Sequence, residues 1–486
     1  MKMVEFTVLQ TKLKSLFDKT GGVLFKSLLI TGLAFYLLLI FFANQPCCQS
    51  SELLTSLRHR WVWNARRSFS VASATNISHI VFGVTGSTNT WRSRRHYIEE
   101  WWQPNITRGF VWLDRIPSEY LPWSPSSPPY HVSADTAGEF KDYSRHGMPH
   151  AIRMTRVILE TFKEANENVR WYVITDDDTV VIVDNLVEVV GRYDHNKYYY
   201  IGGNSESIGA NYENSFEMAF GGGGYALSFS LVQALVINLD ECIKRYPTLY
   251  GSDHVLQSCI LELGVSLTHE KGFHQIDLVR NIWGFLSAHP QAPLISLHHI
   301  DVVEPIFPSM DRHQSLEHLM KGAEVDSSRL LQQVICYHKK SNWSFSISWG
   351  YSAQIYEKIH PPSFLQKPLQ TFLPWSNRAR PGFMFNTRPL SNDPCEAPHV
   401  FFFRSVERAN RTQVITNYSR SSPRKLPTCL SSGNHSADSI SEIRVLSPVK
   451  RLNWVGRREC CDIVRFHGFN VAEVRVRGCR NDEIVA

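Results

Sequence analysis

Arg170-Trp171-Tyr172-Val173-Ile174-Thr175 runs directly into Asp176-Asp177-Asp178. Such an aromatic and β-branched run has no polar face to give to water, which predicts a strand buried on both sides. The three acids then stand at its carboxyl end. Adjacent carboxylates repel one another, and only a strong positive partner makes their shared ionisation cheap. Oxygen ligands of this kind suit Mg²⁺ or Mn²⁺. A solvated acidic turn competes with that reading and would win in a loop; the apolar strand behind the triplet favours the metal.

The pattern repeats outward from the triplet. His79 to Val84 is a short apolar run that predicts a strand, Trp91 to Trp102 an amphipathic helix, and Gly109 to Leu113 a second strand. Residues 116–148, rich in Pro, Ser and Tyr, read as a loop, and Pro149 to Glu167 as a helix. Leu186 to Val190 reads as helical and Tyr198 to Ile201 as a strand. Strands alternating with helices predict an α/β, Rossmann-like domain over 78–310, with a mostly parallel sheet covered on both faces. Ligands bind such sheets at the carboxyl ends of strands, where the triplet lies. Beyond residue 310 the alternation fades. Residues 311–486 hold six cysteines and are expected to form a disulfide-linked, β-rich extension. Cys242 and Cys259 lie on two predicted helices joined by a Pro-Gly turn and form a plausible bridge. Pairing of the remaining cysteines stays open, and the absence of a C-x-x-C pair argues against structural zinc.

Val23 to Ala43 is apolar over about the length that spans a bilayer, with Lys26 able to snorkel. Lys2, Lys12, Lys14, Lys19 and Lys26 precede or flank it against only Glu5 and Asp18. Positive charge near an anchor stays cytosolic. The expectation is a cytosolic tail at 1–22, an uncleaved signal anchor at 23–43, a stem at 44–77, and the rest in an oxidising lumen. Six N-x-Ser/Thr sequons, at Asn76, Asn105, Asn342, Asn410, Asn417 and Asn434, all follow the anchor. A net charge of +6 spread over 486 residues gives little support to nucleic-acid binding.

Three further stretches could carry chemistry. Phe220-Gly221-Gly222-Gly223-Gly224-Tyr225 lets the backbone approach a ligand closely, or is a flexible turn before a helix at 229–242. Asp253, in Gly251-Ser252-Asp253-His254, opens a helix running to Leu263. It, or Ser252, caps that helix, or it is a general base for an acceptor hydroxyl. His298 and His299 follow an apolar strand and either complete a metal shell or are partly exposed histidines.

As an ordered set these stretches are specific. TDDD, FGGGG, GSD and SLHH, with HIVFGV (79–84), RGFVWLD (108–114), GSDHVLQSCILELGV (251–265), GFHQID (272–277), PLISLHHID (293–301), FNTRP (385–389) and RRECCD (457–462), resemble the Fringe-like glycosyltransferases of glycosyltransferase family 31, above all the plant Fringe-related proteins. The resemblance covers about residues 78–480. It implies a GT-A fold, inverting transfer from a UDP-sugar to a glycan or glycoprotein hydroxyl, Mn²⁺ or Mg²⁺ as cofactor, and a type II Golgi membrane protein. It makes Asp178 the main metal ligand, with Asp176 and Asp177 at the donor ribose and the metal's waters. Asp176 thus borders metal and donor, and His298 completes the metal set ahead of His299. It makes Asp253 the base, and Arg94 and Arg95 donor contacts, with Gly222 and Gly223 bordering the donor. His254 stands where the family often has a second acid, and nothing in the sequence names the acceptor. The competing functional class is a non-catalytic lumenal sugar-binding or scaffold protein on the same fold. A hydrolase would need a paired catalytic carboxylate, and none is evident.

Overall fold

The computed structural model describes residues 74–485 apart from 137, 142, 144–147, 376–380, 431–435, 450–457 and 469. The expected tail and anchor, and the stem up to residue 73, lie outside the described residues. Among the described residues no helix is long and apolar enough to cross a membrane.

Numbered in chain order, the first sheet comprises β1 (Ile80–Thr85), β2 (Arg108–Leu113), β3 (Tyr130–Val132), β4 (Trp171–Asp176), β6 (Tyr200–Gly202), β7 (Tyr225–Ser228) and β8 (Leu267–His269). Its spatial order is β3-β2-β1-β4-β7-β6-β8. All neighbours are parallel except β7, which runs antiparallel to both β4 and β6. The sheet is therefore mostly parallel, as expected, with one reversed strand. Every residue of β1 is buried. Ile80, Phe82 and Val84 enter one core and Val81 the other, as Trp171 and Val173 part from Tyr172 and Ile174 on β4. This is why neither strand alternates between apolar and polar residues: both faces are covered.

The helices are α1 (Trp91–Glu99), α2 (Pro149–Glu164), α3 (Val183–Val190), α4 (Ile208–Glu213), α5 (Phe229–Leu235), α6 (Leu239–Arg245) and α7 (Ser252–Glu262). α2 lies against β1, β2 and β4. It lies so close that a Cβ on Gly83 would sit 2.7 Å from Thr161 Oγ1. Two expectations are corrected here. The helix predicted over 229–242 is broken into α5 and α6, with Asn238 at the break, a residue whose side chain competes for backbone partners. The loop predicted over 116–148 contains β3, an edge strand too short to announce itself by pattern.

A small sheet orders β5 (Val180–Val181), β11 (Ser296–Leu297) and β9 (Phe273–His274), and β10 (Leu278–Arg280) pairs with β15 (Phe372–Pro374). The C-terminal region is β-rich, as expected. Its eight-stranded sheet runs β12 (Gln333–His338), β13 (Trp343–Ser348), β14 (Ser352–Tyr356), β16 (His399–Arg408), β17 (Gln413–Arg420), β18 (Glu442–Pro448), β20 (Val471–Arg477), β19 (Cys460–His467). Only β18 and β20 pair in parallel. The two edge strands, β12 and β19, lie beside one another, and Cys336–Cys461 joins them. Cys242–Cys259 forms as expected, and Cys395–Cys429 and Cys460–Cys479 complete the set. One buried cluster includes Phe82 and Val173 of the first sheet and Phe345, Phe401 and Val474 of the second.

Candidate active site

The parallel register pairs Thr85 with Asp176, so β1 and β4 end side by side. The Thr85 hydroxyl contacts Asp176 Oδ1 and lies 2.9 Å from the Thr175 carbonyl. The three acids then take different surroundings. Asp176 borders a cavity of about 280 Å³. Asp177 turns into the protein, accepting from Thr90 Oγ1 and Arg94 Nη1, each at 3.1 Å. Burial, then the charge of Asp178, pushes its carboxyl up to about 7 against the pull of Arg94. Asp178 is fully buried, with His298 Nε2 at 3.1 Å and Arg94 Nη2 at 3.0 Å. Burial opposes its charge, but His298 and Arg94 outweigh burial and hold its carboxyl well below the usual range.

Arg94 also reaches Asp301 Oδ2 at 3.1 Å, so one guanidinium ties three carboxylates together. Arg95 does not join it. About 100° further round α1, it is exposed and is not among the residues that line the cavity.

His298 follows β11. Its Nδ1 lies 3.2 Å from the Gln275 carbonyl, which can only accept, so Nδ1 carries a proton and Nε2 is aimed at the triplet. Burial disfavours its imidazolium, yet the carboxylate of Asp178, helped by Asp176 and Asp277, raises its pKa to about 9. His299 also lines the cavity and makes contacts of its own. Its Nδ1 is 3.3 Å from Asp277 Oδ1 and its ring stacks on Trp375 at 5.0 Å.

The glycine run leads into β7 rather than a helix. A Cβ on Gly222 would come within 2.1 Å of His298 Cε1, and one on Gly221 within 2.3 Å of Asp253 Oδ1. These glycines are therefore required by two candidate catalytic side chains packed against their backbone. The Gly223 backbone has partners within the protein: its N–H donates to Gln275 Oε1 at 2.7 Å and its carbonyl accepts from Ser296 Oγ.

Asp253 does not cap its helix. Gly251, at φ +82°, is the N-cap of α7, and no side chain caps it. Instead Asp253 Oδ2 accepts from Gly221 N–H at 2.8 Å and Oδ1 from Ser252 Oγ at 3.1 Å. Burial pushes its carboxyl up to about 6, against the Gly221 N–H. Asp253, Phe220, Tyr250 and His254 line the same cavity as Asp176, Asp178 and His298.

The donors fit a divalent cation. Ligand atoms of Asp178, His298 and His299 lie within 4.8 Å of one another. Both Asp178 oxygens are buried without an aligned hydrogen-bond donor, although two cationic groups stand close. The carboxylate oxygens suit Mn²⁺ or Mg²⁺, and the imidazole beside them favours Mn²⁺ of the two.

Sequence reasoning missed Gln275, Asp301 and a second cavity, of about 830 Å³, at the ends of β2 and β3. Asp114, Ser133, Thr136 and Arg153 line it, and His150 borders both cavities. Asp114 ends an apolar strand much as Asp176 does, so the same pattern could have found it.

Over 200 residues the chain is 30% identical to a protein of Mus musculus named beta-1,3-glucosyltransferase, a match covering 39% of each chain. Over 206 residues it is 28% identical to the Homo sapiens protein of that name, covering 40% of this chain and 38% of that one. The match thus spans about two fifths of the length of these relatives. Among solved structures, a glycosyltransferase involved in the glycosylation of the major capsid of PBCV-1 aligns with 49% of this chain and 98% of its own, at 11% identity and a TM-score of 0.25. A family model described as "Protein of unknown function, DUF604" matches residues 210–461, more than half of the 486-residue chain, and the chain belongs to that family.

Proposed function

We propose that this protein is a metal-dependent, inverting glycosyltransferase of the Fringe-like, GT-A kind, transferring a sugar from a UDP-sugar to a hydroxyl of a glycan or glycoprotein. The observation that carries the reading is one cavity lined by Asp176, Asp178, His298 and Asp253 together. The partial match to beta-1,3-glucosyltransferases supports it and makes UDP-glucose the first donor to test.

Asp178, His298 and Asp176 would hold Mn²⁺ or Mg²⁺, which when bound supplies Lewis-acid stabilisation of the departing diphosphate. The chain's own residues do the rest. The donor lies along the ends of β1, β4 and β2, with its nucleoside toward Asp114 and Arg153. Asp253 Oδ1 or Oδ2 takes the proton of the acceptor hydroxyl as that oxygen bonds to the anomeric carbon and the bond from that carbon to UDP breaks. Attack from the side away from UDP inverts the anomeric centre. The Gly221 N–H keeps Asp253 oriented, and Phe220 and Tyr250 offer apolar faces to the acceptor.

The test is UDP-glucose hydrolysis, then transfer, by the full chain in detergent with and without Mn²⁺. Mn²⁺-dependent turnover that Asp178→Ala abolishes supports the reading; turnover unaffected by chelation or by that substitution rejects it.

The lumenal placement rests on the charge-flanked apolar run at 23–43. Asn76, Asn105, Asn342 and Asn410 are exposed, as glycan acceptors must be, whereas Asn417 is half-buried on β17 with its Nδ2 donating to Ser405 Oγ. Expressed in a secretory eukaryotic host, the chain should carry N-glycans at the first four of these sites and not at Asn417. Glycopeptide mass spectrometry reads this directly, and an unglycosylated chain would rule out the type II Golgi orientation.

A further inference from the structure

Behind the cavity lies a buried chain of ionisable side chains that the proposed chemistry does not use. Glu206, His274 and His289 are all more than nine-tenths buried. Glu206 Oε1 is 2.8 Å from His274 Nδ1, and His274 Nε2 is 2.9 Å from His289 Nε2. His289 Nδ1 is 2.7 Å from the Pro290 carbonyl. The protons can be placed from this end. A carbonyl only accepts, so His289 Nδ1 carries hydrogen. Burial, then His274, holds His289 well below the ordinary histidine range, so its Nε2 is bare and accepts. His274 Nε2 is then the donor, and one further proton sits between His274 Nδ1 and Glu206.

The second Glu206 oxygen has a different partner. Oε2 accepts the Ile276 N–H at 2.6 Å. Ile276 has φ +51°, a conformation that a β-branched residue adopts only when its surroundings impose it. The turn thus held, Gln275-Ile276-Asp277, meets the site at several points. The Gln275 carbonyl fixes His298 Nδ1, and its Oε1 takes the Gly223 N–H. Asp277 Oδ1 faces His299 Nδ1, and its carbonyl accepts from Trp375 N–H at 2.9 Å.

We infer that Glu206, braced by His274 and His289, is a positioning residue: it holds the strained 275–277 turn and through it fixes the orientation of His298. The metal arm of the test rests on the proposed metal role of His298; the second arm does not.

Three variants separate the possibilities. Glu206→Gln conserves every bond, since its carbonyl can accept from Ile276 N–H while its amide donates to His274 Nδ1. Glu206→Met keeps the volume and removes both contacts. Glu206→Asp, a milder change should Glu206→Met fail to fold, is too short to reach both partners. Mn²⁺ binding to the full chain is followed by electron paramagnetic resonance. The His298 Nδ1–H, bonded to the Gln275 carbonyl, is followed by nitrogen-15 NMR of the histidine rings. Met and Asp are expected to weaken Mn²⁺ binding by about 10-fold or more, and to lose the protected His298 proton. Gln should stay within about 3-fold of wild type and keep that proton, an ordering that loss of stability alone would not produce. If wild type binds no Mn²⁺, the metal reading fails and the ring proton still decides the inference. A protected proton that persists in Met and Asp, or Mn²⁺ binding as weak in Gln as in Met, overturns it.

Discussion

At the scale of single residues the site turns on where each carboxylate meets solvent and charge. Asp177 and Asp178 are neighbours in sequence, yet one is pushed up to about 7 and the other held well below the usual range. Burial weighs on both; what separates them is His298, which faces Asp178. Asp253 is a third case, a buried acid raised to about 6 with one backbone N–H donated to it. A general base must be ionised, so transfer should fall as pH drops through about 6 and level off above it. The same shift has a stability consequence. An acid whose folded pKa is raised stabilises the fold only when protonated, and that contribution is lost as pH rises through about 6. Asp253→Asn keeps an acceptor for the Gly221 N–H and removes the buried charge. It should cost about 10²-fold or more in kcat while leaving Tm at neutral pH unchanged or higher. A variant with near-normal kcat, or one that melts well below wild type, would show that Asp253 is structural.

At the scale of elements, much of the architecture can be read from local pattern, and what cannot has identifiable causes. β4 announces itself because both faces are covered, so its whole run is apolar. Cys242 and Cys259 pair as the spacing of α6 and α7 suggested, because that contact is local. Cys336–Cys461 spans 125 residues and depends on how an eight-stranded sheet curls, which no window of sequence contains. The glycines were visible, but their reason was not: it lies in His298 and Asp253, brought close only by the fold. The Asp253 cap reading was reasonable locally and lost to the Gly221 N–H, more than thirty residues away. Arg94 and Arg95 could not be told apart until the phase of α1 was known. That phase is testable. Arg94→Ala strips the partner from buried carboxylates and should cost more than about 1 kcal/mol of unfolding free energy. Arg95→Ala should stay within about 0.5 kcal/mol and leave the donor KM unchanged. Equal effects of the two substitutions, by denaturant unfolding and donor titration, would mean that both side chains serve the site.

At the scale of the whole molecule, one buried cluster crosses the division between an enzyme-like domain at 78–310 and an extension at 311–486. Phe82 and Val173 of the first sheet belong to the same apolar cluster as Phe345, Phe401 and Val474 of the second. The site is built across the same boundary. β15 pairs with β10, and its neighbour Trp375 stacks on His299. Met384 N–H donates to the Glu206 carbonyl, and Ser207 bridges to Phe383. Residues 372–375 and 383–384 therefore pack against the segments that carry His299 and Glu206, although the sequence assigns them to the extension. Removing everything after residue 310 would expose the part of that cluster packed against the second sheet and take away the Trp375 ring stacked on His299. A chain of residues 74–310 should accordingly show no cooperative unfolding transition and no Mn²⁺ binding. Residues 74–486 should melt in one transition, with van't Hoff and calorimetric enthalpies in agreement. Differential scanning calorimetry decides the matter. Two resolved transitions in the longer chain, or a sharp one in the shorter, would show that the extension is a separate domain and that the candidate site does not depend on it.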